Sequence, residues 1–262
     1  MVIYYIMDCK IVIPSLSRCD ILCERTLPLL LELYEIEPKT IFVFVVEDEL
    51  EDYKNKINNE KVNVIVGVKG IAEQRAFISN YFEEGQFILS LDDDIKIIQE
   101  LEGDKLFPLK NLKDLNKIVL ELFNDTESSC CGVYPTNNPF FMKSMVSSNL
   151  KFLIGAMRWY LNDREIETNT NYSLLEDYNK SILYYLKYKT ISRLNYIAID
   201  HDCNGKLKGG LGSVADRSYH NKALEVQKFQ EDYKLYCSVN DRFTTKGRKI
   251  DIRFRKCRNN SN

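Results

Sequence analysis

Phe87-Ile88-Leu89-Ser90-Leu91-Asp92-Asp93-Asp94-Ile95 is the stretch that decides the fold. A short apolar run of β-favouring residues meets three consecutive acids. Like charges at a buried strand end repel one another and favour a partner cation. Mg²⁺ and Mn²⁺ prefer carboxylate oxygens and commonly keep phosphate oxygens as further ligands. Strand alternation sends Asp92 and Asp94 to one side and Asp93 to the other. The first expectation is a metal–diphosphate site of D-x-D form, with Asp93 the acid least tied to the metal. An acidic turn after a strand is the plain alternative, because D-x-D recurs by chance.

Upstream, the chain repeats the same plan. Lys10-Ile11-Val12-Ile13-Pro14 reads as a buried strand, followed by the loop Ser15-Leu16-Ser17-Arg18. A helix capped by Thr26 is expected next, with Pro28 in its first turn and Leu27, Leu30, Leu31 and Tyr34 facing inward. The second apolar run, Thr40 to Val46, stops at Glu47-Asp48. The third, Val62 to Val68, precedes Gly70 and a helix over Ile71 to Phe82. Apolar strands alternating with helices indicate an α/β fold with a mostly parallel central sheet covered on both faces. Ligands of such sheets bind beyond the carboxyl ends of the strands. All four ends are polar here: Ser15/Ser17/Arg18, Glu47/Asp48, Lys69/Gly70 and Asp92/Asp94.

The helix after the third strand places Ile71, Arg75, Ile78 and Phe82 on one face. An arginine on an apolar stripe needs an anionic or polar partner, and Asp92, Asp94 or a bound nucleotide are the candidates. An acid at the end of the second strand can accept hydrogen bonds from a base or ribose; this makes Glu47 and Asp48 candidates on the donor side.

The second half reads less regularly. Asn111 to Phe123 is a surface helix, Asp125 to Phe141 a loop, Leu150 to Tyr160 a strand and Asn162 to Asn171 a polar loop. Ser173 to Tyr188 is a helix, in which Ser173 and Glu176 fit a capping box. Asp177 has no such need and can serve as a general base. Thr190 to Ile199 reads as one strand and Val214 to Tyr233 as a charged helix. Lys249 to Arg255 is a final strand within the basic tail Arg242 to Arg258, which has eight Lys/Arg and one acid. His201 can complete the metal shell of Asp92 and Asp94; His220, inside the charged helix, is the less favoured histidine. Lys208, Gly209 and Gly210 can cover a diphosphate through a lysine charge and backbone N–H groups. Tyr134, Trp159 and Tyr160 are candidates for stacking on the acceptor, with Glu176 beside them.

Composition sets outer bounds. The 262 residues are 45% hydrophobic and 28% charged, with a net charge of −2. Overall charge therefore points to neither nucleic acid nor an anionic membrane. Eight cysteines without a C-x-x-C pair disfavour zinc and disulfide frameworks. Reduced thiols, no secretory signal and no apolar run of about 20 residues lead to the expectation of a cytoplasmic protein without a membrane span. The missing G-x-x-x-x-G-K-[ST] pattern argues against NTP hydrolysis.

Four segments resemble the GT-A glycosyltransferases, especially the family-2-like inverting enzymes. They are KIVIPSLSR from Lys10, IFVFVVEDE from Ile41, GIAEQRAFISNYFEEGQFILSLDDDI from Gly70 and SLLEDYNKSILYYLKYKTISRLN from Ser173. The likeness covers roughly residues 10 to 213, and it leans toward the glycosyltransferases of modified-DNA systems and their relatives in large viruses. The resemblance implies one GT-A (Rossmann-like) domain over 1–262. Its nucleotide-sugar-binding half would be 10–100 and its acceptor half 101–262. It implies Mn²⁺ or Mg²⁺ and the donor diphosphate on Asp92 and Asp94, with His201 joining the metal. It places Asp48 and Arg75 at the nucleoside end of the donor, foremost a UDP-sugar, and Asp177 as base toward a glycan or modified nucleic-acid hydroxyl. For a viral relative, the compartment would be the host cytoplasm. Ala76 stands where the family carries Asn, so that contact is not carried over, and residues 125–171 match nothing specific. A nucleotidyltransferase shares the sheet, acids and metal but wants a basic glycine-rich loop after the first strand. A non-catalytic nucleotide-sugar or glycan-binding module would not need Asp177.

Overall fold

The computed structural model describes residues 8–57, 61–202, 210, 218–245 and 247–255. An eight-stranded mixed sheet forms the centre, flanked by helices on both faces. Its strands are β1 (Lys10–Pro14), β2 (Ile41–Val45), β3 (Asn63–Val66), β4 (Phe87–Leu91), β7 (Cys130–Val133), β8 (Val146–Ser147), β9 (Met157–Leu161) and β10 (Ser192–Leu194). The order is β3-β2-β1-β4-β9-β7-β10-β8. The first four are parallel, β9 runs against both neighbours, and β7 and β10 are parallel again. A three-stranded antiparallel sheet joins β11 (Ile197–Asp200), β5 (Ile97–Glu102) and β6 (Lys105–Pro108), and β12 (Cys237–Thr244) pairs with β13 (Gly247–Phe254) as a hairpin.

Strand alternation divides the core in two. Ile11, Ile13, Val43, Leu89 and Trp159 point to one face, where they meet α1 (Cys19–Glu24), α2 (Thr26–Pro28), α3 (Leu50–Lys56) and α5 (Leu112–Thr126). Val12, Phe44, Ile88 and Tyr160 point to the other, against α4 (Ile71–Tyr81), α6 (Arg164–Glu167), α7 (Glu176–Tyr188), α8 (Tyr219–Asp232) and the hairpin residues Ile250 and Ile252. The central strands β1, β2 and β4 are therefore apolar at nearly every position.

Several expectations change. The first helix starts at Cys19, and Thr26 does not cap it. Cys130-Cys131-Gly132-Val133, read as loop, is an interior strand; its two small cysteines and one glycine carry little β signal, yet all four residues are buried. Gly132 packs closely there, since a Cβ would lie 3.0 Å from Leu153 Cβ. The stretch read as one strand over Thr190–Ile199 divides between two sheets as β10 and β11. The strand read from Leu150 begins only at Met157, and the polar stretch Asn162 to Asn171 holds α6, capped by Asp163. The capping box at Ser173 is absent. The helix begins at Glu176, and the amides of Ser173 and Leu174 donate instead to Glu225 of α8, at 2.7 and 2.8 Å. No described helix is long and apolar enough to cross a membrane.

Candidate active site

The site lies beyond the carboxyl ends of β1, β2 and β4. β4 ends at Leu91, and the acids that follow take different directions. Asp93 turns inward and is 4% exposed. It accepts from Ser15 Oγ at 2.6 Å and from Arg18 Nη1 at 3.2 Å. Burial pushes its carboxyl up to about 7, against the lowering effect of the Ser15 bond and the Arg18 charge. Ser15 and the backbone N–H of Arg18 both lie against Tyr53 Oη of α3, at 2.7 and 3.2 Å. Asp93 thus braces the β1 loop.

The three acids lie in a turn beyond β4 and do not simply alternate: Asp94 Oδ2 accepts, at 3.3 Å, from the same Arg18 Nη1 that reaches Asp93. Asp92, Asp94 and His201 bring one ligand atom each within 4.8 Å of one another, the group of three or more candidate metal ligands found among the described residues. The register of β5 and β11 brings in the histidine. Ile97 pairs with Asp200, and Lys96 N donates to Asp200 O at 2.9 Å. His201, the next residue, therefore reaches the acid three positions before Ile97, and its Nδ1 is 3.9 Å from Asp94 Oδ1. Asp94 Oδ1 is buried without a hydrogen-bond partner among the described residues. Burial and Asp92 raise the Asp94 carboxyl, while His201 and Arg18 lower it. Two carboxylates, an imidazole and an oxygen lacking a partner fit a divalent cation. His220, on α8, is exposed and outside this group.

Two supports escaped the sequence reading. Thr26 Oγ1 donates to Asp92 O at 3.1 Å and accepts from Ile95 N at 3.0 Å, so it pins the backbone of the acidic turn. Asp202 accepts from Arg25 at 2.6 Å and Lys96 at 3.1 Å, holding the residue next to His201. Neither is visible in local sequence, since the partners lie far apart in the chain.

Arg75 emerges from α4 at 5% exposure, between the metal-facing acids and α7. Its Nη1 donates to Glu176 Oε2 and, at 3.3 Å, to Asp177 Oδ1; its Nη2 donates to Gly155 O at 3.0 Å and lies 3.8 Å from Asp92 Oδ1. The guanidinium expected at the nucleoside end is thus turned toward α7 instead. Glu176 is fully enclosed. Although burial opposes its charge, Arg75 holds it down at about 2. It balances Arg75 and is not placed to meet an acceptor. Asp177 keeps about a third of its side chain exposed, 32%. Burial, then the neighbouring Glu176 charge, pushes it up to about 7.

Other expected site residues separate. Glu47 and Asp48 are exposed in a single 3₁₀ turn after β2. Their neighbour Glu49 is the one tied to the β1 loop, accepting from Ser17 N at 2.8 Å and Ser17 Oγ at 2.6 Å. Ser17 needs that support, since its φ is 53°. Lys208 and Gly209 lie outside the described residues. Gly210 does approach the site, but its N–H donates to Leu16 O at 2.8 Å, and a Cβ there would lie 2.5 Å from Arg18 Cζ. Trp159 and Tyr160 are 0% and 1% exposed, in opposite core layers. Trp159 Nε1 donates to Asn116 at 2.7 Å, and neither ring offers a face for stacking. Tyr134 is half-buried with Arg193 over its ring at 4.9 Å.

No protein-family model matches the chain, and no curated protein does. Solved structures similar to it include 4-diphosphocytidyl-2C-methyl-D-erythritol synthase from Anaerococcus prevotii, at 8% identity and a TM-score of 0.43, covering 86% of this chain and 96% of that one. Mannosyl-3-phosphoglycerate synthase from Rubrobacter xylanophilus is similar at 11% identity and a TM-score of 0.48, covering 95% and 85%. UTP-bound UGPase from Acinetobacter baumannii is similar at 11% identity and a TM-score of 0.38, covering 72% and 86%.

Proposed function

We propose that this protein is a metal-dependent glycosyltransferase, moving a sugar from a nucleoside-diphosphate sugar to an acceptor hydroxyl with inversion at the anomeric carbon. One observation carries the reading. The Arg75 guanidinium lies 3.8 Å from Asp92, on the metal side, and 3.3 Å from Asp177. A leaving-group site and a base thus sit on either side of a single side chain.

Asp92, Asp94 and His201 would hold Mn²⁺ or Mg²⁺. When bound, such a cation neutralises charge building on the departing diphosphate. Arg18, beside Asp94, adds positive charge at the same strand ends. Asp177 takes the proton of the acceptor hydroxyl. The oxygen lone pair forms the new bond to the anomeric carbon as the bond from that carbon to the diphosphate oxygen breaks. The nucleoside diphosphate leaves with the bonding pair. Arg75 holds Asp177 in place, and Glu176 balances the arginine so that its charge does not fully suppress the basicity of Asp177.

The test is a donor screen with UDP-, GDP- and dTDP-sugars and Mn²⁺, following nucleoside-diphosphate release and thermal shift. Release with one donor is expected. Pyrophosphate release from a nucleoside triphosphate would move the protein to the nucleotidyltransferases. A shift without turnover would make it a binding module, and no response to any donor would remove the reading.

A further inference from the structure

Behind the base lies a second buried ion pair that the proposed mechanism does not use. Arg158 of β9 and Glu167 of α6 are 3% and 0% exposed, and Arg158 Nη2 donates to Glu167 Oε2 at 3.0 Å. Strand alternation sets Arg158 on the same face as Tyr160, the face covered by α4, α6 and α7. Its guanidinium lies over the Tyr160 ring, 4.8 Å from the centroid.

The pair reaches the base along two routes. Glu176 and Lys180, both buried, are one turn apart and share a face of α7. Lys180 Nζ donates to Ile166 O at 2.8 Å, Glu167 O at 2.6 Å and Asn169 O at 3.0 Å, which pins α7 to the end of α6 one turn beyond Glu176. The other route is the chain entering β9. Gly155, three residues before Arg158, accepts through its O from Arg75 Nη2 at 3.0 Å. Five enclosed charges thus gather across four elements: Arg75, Glu176, Arg158, Glu167 and Lys180.

Burial opposes the charge of Glu176; Arg75 overcomes it, and Arg158 and Lys180 add to that effect. Arg158 Nε and Glu176 Oε1 are buried without a hydrogen-bond partner among the described residues, so these two groups act on each other through their field. In an enclosed, low-dielectric layer such a field is strong.

We propose that Arg158 and Glu167 are positioning residues for the base: together they hold Glu176 from the α6 side, and so decide how much of the Arg75 charge is left to act on Asp177. This rests on the glycosyltransferase reading only for the role of Asp177 as base. Without the pair, Glu176 draws on Arg75 and Lys180 alone, and Asp177 holds its proton more tightly. With Glu167 neutral, Arg158 keeps its own charge, because arginine does not deprotonate in proteins. Asp177 then releases its proton more readily.

Two variants therefore pull in opposite directions. Arg158→Met combined with Glu167→Leu removes the pair as a unit, an exchange of buried ions for apolar side chains that is commonly tolerated. Glu167→Gln keeps the shape and frees Arg158 of its counter-ion. Arg75 and Glu176 face Asp177 directly, Asp92 lies across Arg75, and Asp251 of β13 and Arg242 of β12 lie beyond Tyr178; both variants leave all five in place.

The readout is the titration midpoint of Asp177, followed by carboxyl-carbon NMR of the metal-free full-length protein carrying isotope-labelled aspartate. Loss of the signal in Asp177→Asn assigns it. The midpoint should rise in the double variant and fall in Glu167→Gln, each by about half a pH unit or more. A pair that merely supports the fold would not move it in opposite senses. An unchanged or lowered midpoint in the double variant overturns the proposal, as does an unchanged or raised one in Glu167→Gln. Melting curves establish that each variant is folded, and either one alone decides. If the midpoints move as stated while no donor is turned over, the pair positions Asp177 and the glycosyltransferase reading falls. With turnover established, the acid limb of kcat/KM should move up in the double variant and down in Glu167→Gln.

Discussion

Asp177 Oδ1 sits 3.3 Å from Arg75 Nη1, and the same guanidinium accounts for the ionisation of Glu176. Adjacent acids in one helix turn are thereby separated in behaviour. Glu176 is enclosed and stays charged as the arginine's counter-ion. Asp177 is left partly open, with a carboxyl that holds its proton to about 7. Such a split between neighbouring acids is a way to make one of them a base near neutrality.

Asp177→Asn should lower turnover by roughly 10²–10⁴-fold while nucleotide binding with Mn²⁺ is retained. The wild-type rate should follow the ionised form of Asp177. Because burial and Glu176 raise its folded pKa from 3.8 to about 7, activity is lost as pH falls below about 7. The stability linkage has the opposite sign. The raised group favours the folded state below its unfolded pKa, and that contribution is lost as pH rises through about 7. A profile of kcat/KM against pH that is flat across neutrality, or full turnover by the Asn variant, would remove Asp177 as base.

Gly155→Ala inserts a methyl group 2.2 Å from Asp177 Oδ1 and 2.6 Å from Arg75 Nη1. Side-chain ends must move, although Arg75 has no open space to move into. We expect a stability loss of about 1–3 kcal/mol by urea unfolding, together with a fall in kcat larger than the fall in folded fraction. Wild-type kcat in this variant would show that the Arg75–Asp177 spacing is not required.

Asp92→Asn and Asp94→Asn should each weaken Mn²⁺ binding, measured by water-proton relaxation without nucleotide. Arg25→Met should do so too, by about 10–100-fold, because Asp202 then loses the 2.6 Å partner that steadies the strand end bearing His201. Asp93→Asn is expected to leave Mn²⁺ affinity nearly intact and to loosen the Ser15–Arg18 loop instead. Equal loss in all four variants would place Asp93 in the metal site.

Away from the site, Asp163 caps α6 and accepts hydrogen bonds from Tyr188 Oη and an ion pair from Lys187, each at 2.7 Å. Burial opposes its charge, yet these partners keep its carboxyl below the ordinary 3.8. A lowered folded pKa adds stability above the unfolded value, and that stability is lost as pH falls below about 4. Asp163→Asn should cost about 1–3 kcal/mol at neutral pH, and the difference from wild type should shrink in acid. A constant difference across that range would assign the effect to geometry alone.

The first half of the molecule is largely legible in its residue pattern. Largely apolar runs such as Ile41–Val45 and Phe87–Leu91 belong to strands covered on both faces, and their polar ends mark one edge of a sheet. The second half is not. β7 is built from Cys, Cys, Gly and Val, residues whose strand identity comes from burial between β9 and β10 and not from propensity. Trp159 and Tyr160 look like ring-stacking residues in a sequence, because an aromatic residue carries no mark of which side of the sheet encloses it.

Residue order by itself marked Asp92 and Asp94 as metal-ligand candidates, since consecutive acids after a buried strand repel one another and favour a cation. It also marked Arg75 as a charge in need of a partner, because an arginine within an apolar helix stripe cannot remain unbalanced. Only the tertiary structure decided which partner that is. Glu176 and Asp177 lie about a hundred residues further on, and the β5–β11 register delivers His201 to Asp94 across a similar separation. Long-range pairing of this kind depends on the whole core closing. No local pattern encodes it, because its free energy comes from surfaces that meet only once the chain has folded.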